Sequence, residues 1–364
     1  MVRVFLRRVE RVRQLMQEQE IDCLLLAPTT NMFYLTGLRT VPDERLQLAV
    51  LPVDGPLTLV LPEMYRETAA NLPVEFTLLT WPDHQDAVAL MRPALSVLPG
   101  RVAIDDKMWT GHYFRLRRAF PGAEFVAAQD LLDQVRACKD EWELSLLEQS
   151  GELADQVMGE TVRAIREGIS EIALVTLIEK SIKDLGGEDL AFRPIVASGP
   201  NAARPHHRSG RRVLQQGDLV ILDFGGVVSG YCSDITRTFC LGKAAEDVQE
   251  IYRVVQAANE AGFRAAGEGV ACQEVDRAAR QVIASRGFGQ YFNHRTGHGI
   301  GLDGHEAPYI LEGNPAPLRQ GMVFSVEPGI YLPGRLGVRI EDVVAITGEG
   351  PRRFNDFPRE LLML

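Results

Sequence analysis

The stretch TGHGIGLDGHE, residues 296–306, sets His298 and His305 seven residues apart among four glycines. The chain has only seven histidines. Glycine at this density frees the backbone and disfavours a helix, which suits either a surface loop with incidental histidines or a site where imidazoles must approach something small and charged. Four acids give a second clue. Asp223 ends the apolar run in LVILDFGG, and Asp234 stands in the β-branched context of YCSDITRTF. Glu327 follows the apolar residues of VFSVEPG, and Glu341 lies inside the apolar run of GVRIEDVVAIT. A carboxylate in such a place is costly to bury unless it is paired or bound to a metal. If the strands carrying these acids pair, four carboxylates converge, and in a low-dielectric pocket they repel or take up protons. Two divalent cations would balance the four charges. Oxygen-rich coordination with one imidazole suits manganese, cobalt or zinc, and a two-metal hydrolytic site turns a bridging water into a nucleophile. Five ligands are few for two ions, so some carboxylates must bridge or bind through both oxygens.

The elements that would position these residues fall into two groups. Residues 1–130 alternate helix and strand: a helix over 2–19, then strands near 21–28, 46–53, 57–62, 74–80, 101–105 and 124–128, an α/β domain with a mixed or parallel sheet. Residues 131–364 read as α+β. Amphipathic helices are predicted over 138–168, 171–185, 248–266 and 273–287, and strands over 217–241, 321–332 and 337–347.

Bulk properties exclude several classes. The chain has 364 residues, 49 acids against 39 bases and a net charge of −10. That is a poor footing for nucleic acid, which calls for a basic face. The five cysteines are odd in number and form no CxxC pair, which fits a reducing cytoplasm rather than a disulfide framework. The charged N-terminal run MVRVFLRRVERVR has no apolar core of a secretory signal, and no apolar run is long enough to span a membrane.

Taken in order, LDFGG, SDITRTF, TGHGIG, VEPGIY and RIEDVV resemble the metal-ligand motifs of the pita-bread metallopeptidases, and within them the proline-specific branch of prolidase (Xaa-Pro dipeptidase) and aminopeptidase P. The resemblance covers residues from about 135 to the C-terminus. It implies a C-terminal pita-bread catalytic domain preceded by a smaller α/β creatinase-like domain. It also implies two divalent metal ions per subunit, manganese first, with cobalt or zinc as alternatives. Asp223, Asp234, His298, Glu327 and Glu341 would be the ligands, Asp234 and Glu341 bridging and Asp223 binding through both oxygens.

The same resemblance gives Glu327 the proton of the attacking water. It gives His305 the tetrahedral intermediate, His206 (in ARPHH) the opposite side of the substrate, and Arg339 a place beside the site. His84, His112 and His294 have no motif around them and read as filler. The activity implied is exopeptidase cleavage of small peptides with proline in second position, with a homodimer in which the loop 37–46 reaches the partner's site. The basic cluster NAARPHHRSGRR, with Arg204, His207 and Arg208 around His206, suits a receptor for the carboxylate of a terminal proline, which favours a dipeptidase over aminopeptidase P. A solvated basic turn is the alternative. An inactive peptide-binding module or a creatinase-type enzyme would lack this ligand set, and a methionine aminopeptidase would generally lack the N-terminal domain.

Overall fold

The computed structural model describes residues 2–92, 95 and 98–364. The chain divides into two compact units, Met1–Val135 and Arg136–Leu364. The boundary expected at 130/131 falls inside the helix Gln129–Arg136, whose Leu131 and Leu132 are fully buried.

In the first unit the described residues form one six-stranded sheet. Its order is Thr77–Trp81, Thr58–Pro62, Leu48–Pro52, Cys23–Leu26, Arg101–Ile104 and Glu124–Ala127. Leu48–Pro52 runs antiparallel to both neighbours, and the outer pairs are parallel. The helix Val2–Glu18 buries Phe5, Val9, Val12, Leu15 and Met16, one face at helical spacing.

In the second unit, sequence patterning explains which side of each strand meets the site. The strand Leu219–Phe224 lies between Ile195–Ser198 and Ile235–Cys240, antiparallel to both. Side chains alternate across a strand. Val220, Leu222, Phe224, Ile235 and Phe239 therefore pack with Leu153, Val157, Met158, Leu174 and Ile178 of the helices Glu141–Ala164 and Glu171–Asp184. Ile195, Asp223 and Thr236 fall in one register row. Residues in such a row share a face, here the opposite one.

A five-stranded sheet follows, in the order Glu306–Ile310, Gly297–Gly299, Val323–Val326, Asp342–Thr347 and Gly350–Arg353. Phe324, Val326, Val344 and Ile346 pack with Cys272 and Val275 of the helix Cys272–Ser285. Leu336–Arg339 pairs with Gly329–Leu332 as a separate ribbon. An isolated antiparallel bridge between Thr236 and Glu341 joins the two sheet systems.

The long strands predicted from sequence are broken in instructive places. The run 217–241 becomes four short strands. It turns back at Ser229 and Gly230, both at positive φ, the turn geometry that suits a two-residue hairpin loop. The run 321–332 breaks at Glu327 and Pro328, and 337–347 breaks at Ile340 and Glu341. Glu341 is thus at an interruption rather than inside a strand. Asn259 of the helix Glu246–Ala265 repairs both later breaks: its buried amide donates to the carbonyls of Val326 (2.8 Å) and Ile340 (3.3 Å).

Candidate metal centre

Asp223, Asp234, His298, Glu327, Glu341, His206, His305 and Arg339 all line one cavity of about 500 Å³. Asp234, His298 and Glu341 each bring a ligating atom within 4.8 Å of the others. His298 sits in the strand Gly297–Gly299. Its glycine neighbours serve close approach, not unusual torsions: a Cβ on Gly297 would lie 1.8 Å from the carbonyl oxygen of Ser325, and one on Gly299 would lie 2.2 Å from that of Ala307. The segment before it is fixed by buried Asp276, which accepts from the Thr296 amide (3.1 Å) and hydroxyl (2.7 Å).

The His298 Nδ1–H donates to the Gly299 carbonyl at 3.1 Å, so Nε2 carries the lone pair and can serve as a ligand. That nitrogen lies 3.7 Å from Asp234 and 3.4 Å from Glu327. Burial, and then neighbouring His305, lower the His298 pKa to about 3. The ring is therefore neutral, and these approaches are not ion pairs.

The acids are out of balance with their surroundings. Burial, with Glu341, Asp223 and Glu327 adding repulsion, raises Asp234 well above the usual range. Burial and then Glu327 and Asp223 do the same to Glu341. Burial lifts Glu327 to about 7 despite the opposing Arg339, and lifts Asp223 as well. Asp234 Oδ1 and Glu341 Oε1 are buried and without a hydrogen-bond partner. Unpartnered buried carboxylate oxygens are strongly disfavoured. A cation among these donors resolves both faults, so the residues fit a divalent metal centre.

The supporting groups are ordered. Thr236 donates to Glu341 Oε2 at 2.6 Å. Ser325 donates to Glu327 at 3.3 Å. Arg339 donates through Nη2 to Asp223, through Nε to Thr236 (3.1 Å), and through Nη1 to Tyr331 (2.8 Å) and the Pro205 carbonyl (3.4 Å). Its carboxylate partner is Asp223. Asp342 is held instead by Arg237, Arg353 and Arg359. One oxygen of Asp223 already accepts from Arg339, so coordination there would use remaining lone pairs.

His294 is a correction. Read as filler, it lines the cavity, and its Nε2 lies 3.0 Å from the Tyr331 hydroxyl. Burial and then Arg339 lower its pKa to about 4. Arg295, Phe192 and Ile195 also line the cavity and were missed. The available signal was position: His294 and Arg295 immediately precede the segment that delivers His298.

His207 has a partner within the chain. Its Nε2 meets Glu171 at 2.9 Å and does not line the main cavity. Fully buried Glu171 also accepts from the Ser198 amide and hydroxyl, Asn201 and the Gly210 amide, so His207 belongs to the anchor of the His206 loop. His207 and Arg208 line an adjoining cavity of about 410 Å³, which shares Ile195 and His206 with the first. Arg204 is exposed and lines neither. Arg212 is engaged by Asp218.

Fold and site together define a metal-dependent hydrolase. Residues 145–348 match Metallopeptidase family M24, and residues 8–138 match the Creatinase/Prolidase N-terminal domain. The chain belongs to metallopeptidase family M24: a pita-bread catalytic domain preceded by a creatinase-like domain. It is 33% identical over 360 residues to the Xaa-Pro dipeptidase of Pyrococcus horikoshii, covering 98% of each chain. It is similar to the recombinant prolidase of Thermococcus sibiricus (TM-score 0.94, 36% identity, 99% of each chain). It is also similar to dipeptidase PepE of Mycobacterium ulcerans (TM-score 0.93, 38% identity, 100% of this chain and 98% of that one). Among the described residues, no helix is long and apolar enough to cross a membrane.

Proposed function

We propose that the protein is a Xaa-Pro dipeptidase, an exopeptidase that splits the bond between an N-terminal residue and a terminal proline. The observation that carries the metal-dependent reading is the pair of buried, unpartnered oxygens on Asp234 and Glu341, beside a neutral His298 whose free nitrogen faces acids. Asp223, Asp234, His298, Glu327 and Glu341 would hold two divalent ions, manganese first. When bound, such ions polarise a carbonyl and acidify water.

The chain's own groups supply the rest. Glu327 takes the proton of the attacking water at its carboxylate and returns it to the proline nitrogen as the C–N bond breaks. His305 donates to the carbonyl oxygen as charge develops there, and His206 bounds the substrate from the other side. Arg339 keeps Asp223 oriented. An Xaa-Pro bond has no N–H, so recognition must rest on the ends of the peptide. In the adjoining cavity, Arg208 is the group suited to the proline carboxylate, because a guanidinium can bind both oxygens; Arg204 stands outside it.

The names of the similar proteins support the dipeptide length over aminopeptidase P. A binding module without catalysis is disfavoured because the full ligand set is present. A homodimer and a cytoplasmic location belong to the same reading. The five free cysteines support the latter, and light scattering checks the former. The test of the activity is a comparison of Ala-Pro with Ala-Pro-Yaa and longer peptides on one metal-loaded preparation. Preferred cleavage of the dipeptide is expected, and faster cleavage of the longer peptides would make the enzyme an aminopeptidase P.

A further inference from the structure

Two arginines, Arg295 and Arg339, line the main cavity. Arg339 is committed to Asp223, Thr236, Tyr331 and the Pro205 carbonyl. Arg295 is placed differently. Its Nη2 lies 3.0 Å from Nδ1 of His305, and its guanidinium carbon lies 4.8 Å from the ring centre of Tyr309. A guanidinium has N–H donors and no acceptor, and it stays charged. The nitrogen it meets must therefore accept, so Nδ1 of His305 carries no proton and the ring N–H is at Nε2. A second surface fixes the ring plane: His305 lies against His298, with centroids 3.8 Å apart and planes 37° apart.

The next residue shows why a separate device is needed. Glu306 is locked by Arg136 and, at 2.8 Å, by Lys139. That fixes the backbone under the 301–306 turn. It leaves the side-chain torsions of His305, an exposed residue, free to choose among rotamers.

We infer that Arg295 is a positioning residue that holds His305 in the Nε2–H tautomer and in the orientation that presents this N–H to the reacting carbonyl. This rests on the dipeptidase reading for the identity of the carbonyl, but the tautomer is a property of the chain. The arrangement makes His305 a neutral donor with a single proton on its working nitrogen. It also gives the stretch before the metal-binding histidine a purpose of its own.

The experiment is long-range proton–nitrogen NMR on 15N-histidine-labelled, zinc-loaded protein, with His305 assigned by its loss in His305→Gln. Protonated Nε2 and unprotonated Nδ1 are expected in the wild type. Arg295→Met removes the donor and keeps the stem. The tautomers should then mix, and kcat for Ala-Pro should fall at least about tenfold, part of the roughly hundredfold or more that loss of a whole donor costs. KM and bound metal should hold within about twofold. Arg295→Lys should restore the tautomer and part of the rate. A wild-type Nδ1–H ring, or an Arg295→Met ring that keeps Nε2–H, overturns the inference. The expected tautomer in a wild type that cleaves no Xaa-Pro dipeptide would count against the dipeptidase reading while upholding the assignment of Arg295.

Discussion

Thr236 donates its hydroxyl to Glu341 Oε2 at 2.6 Å, at the point where the two residues' backbones bridge two separate sheets. The same hydroxyl oxygen accepts from Arg339 Nε. Thr236 also lies opposite Asp223 in the register of the first sheet. One small side chain therefore aligns a carboxylate from each half of the domain. Thr236→Val keeps the shape and removes the donor. Metal affinity should fall about 10–100-fold, as for other groups that orient metal ligands, with a stability loss of about 1–3 kcal/mol. Chelator competition and urea unfolding measure the two, and an unchanged affinity would show that Thr236 only packs.

Asp223→Asn should release at least one metal and severely reduce activity while circular dichroism stays unchanged. The substitution preserves volume but removes a charge that Arg339 needs and that the proposed metals would use, leaving that buried guanidinium without its carboxylate. Wild-type stoichiometry and rate in this variant would remove Asp223 from the ligand set.

Asp342 gives a pH signature in stability. Burial alone would raise its pKa, but Arg237, Arg359 and Arg353 outweigh burial and hold it below the usual range. A depressed folded pKa contributes stability above the unfolded value of about 3.9, and that stability is lost as pH falls through the folded value. Asp342→Asn should cost about 3–5 kcal/mol at pH 7, as for breaking a buried pair. The gap from wild type should narrow below about pH 4. Denaturant melts from pH 7 to pH 3 measure it, and a constant gap would deny the charge its role.

Arg208 and His207 should separate kinetically. Arg208→Ala should raise KM for the dipeptide severalfold with little change in kcat, the mark of lost uniform binding. His207→Ala breaks the contact with buried Glu171. It should lower stability by about 1–3 kcal/mol and reduce kcat by loosening the His206 loop. A pure KM effect in His207→Ala would return that residue to the substrate.

The gathering of Asp223, Asp234, His298, Glu327 and Glu341 in one cavity was legible because a carboxylate in an apolar, β-branched context is rare without a reason, and four such acids with a glycine-flanked histidine in order are specific. The long helices and the apolar strands followed from periodicity, whereas the short strands Ile195–Ser198, Gly297–Gly299, Glu306–Ile310 and Gly350–Arg353 did not. The strand breaks were not legible, because Glu327 and Glu341 interrupt hydrogen-bonding ladders that the apolar pattern runs straight through. Their repair comes from Asn259, in a distant helix. His294 and Arg295 were passed over for a related reason. Their use depends on Tyr331 and His305, which only the folded sheet brings near. The tie of His207 to Glu171 was not legible, because only folding brings the helix Glu171–Asp184 against this loop.

The metal requirement bears most directly on the central claim. The protein would be chelated to completion, its metal content measured by mass spectrometry, and manganese returned stepwise while Ala-Pro hydrolysis is followed. No turnover is expected in the metal-free protein, with the folded structure retained, and activity should rise to its plateau as two ions per chain are bound. Full turnover in protein shown to be metal-free would contradict the account.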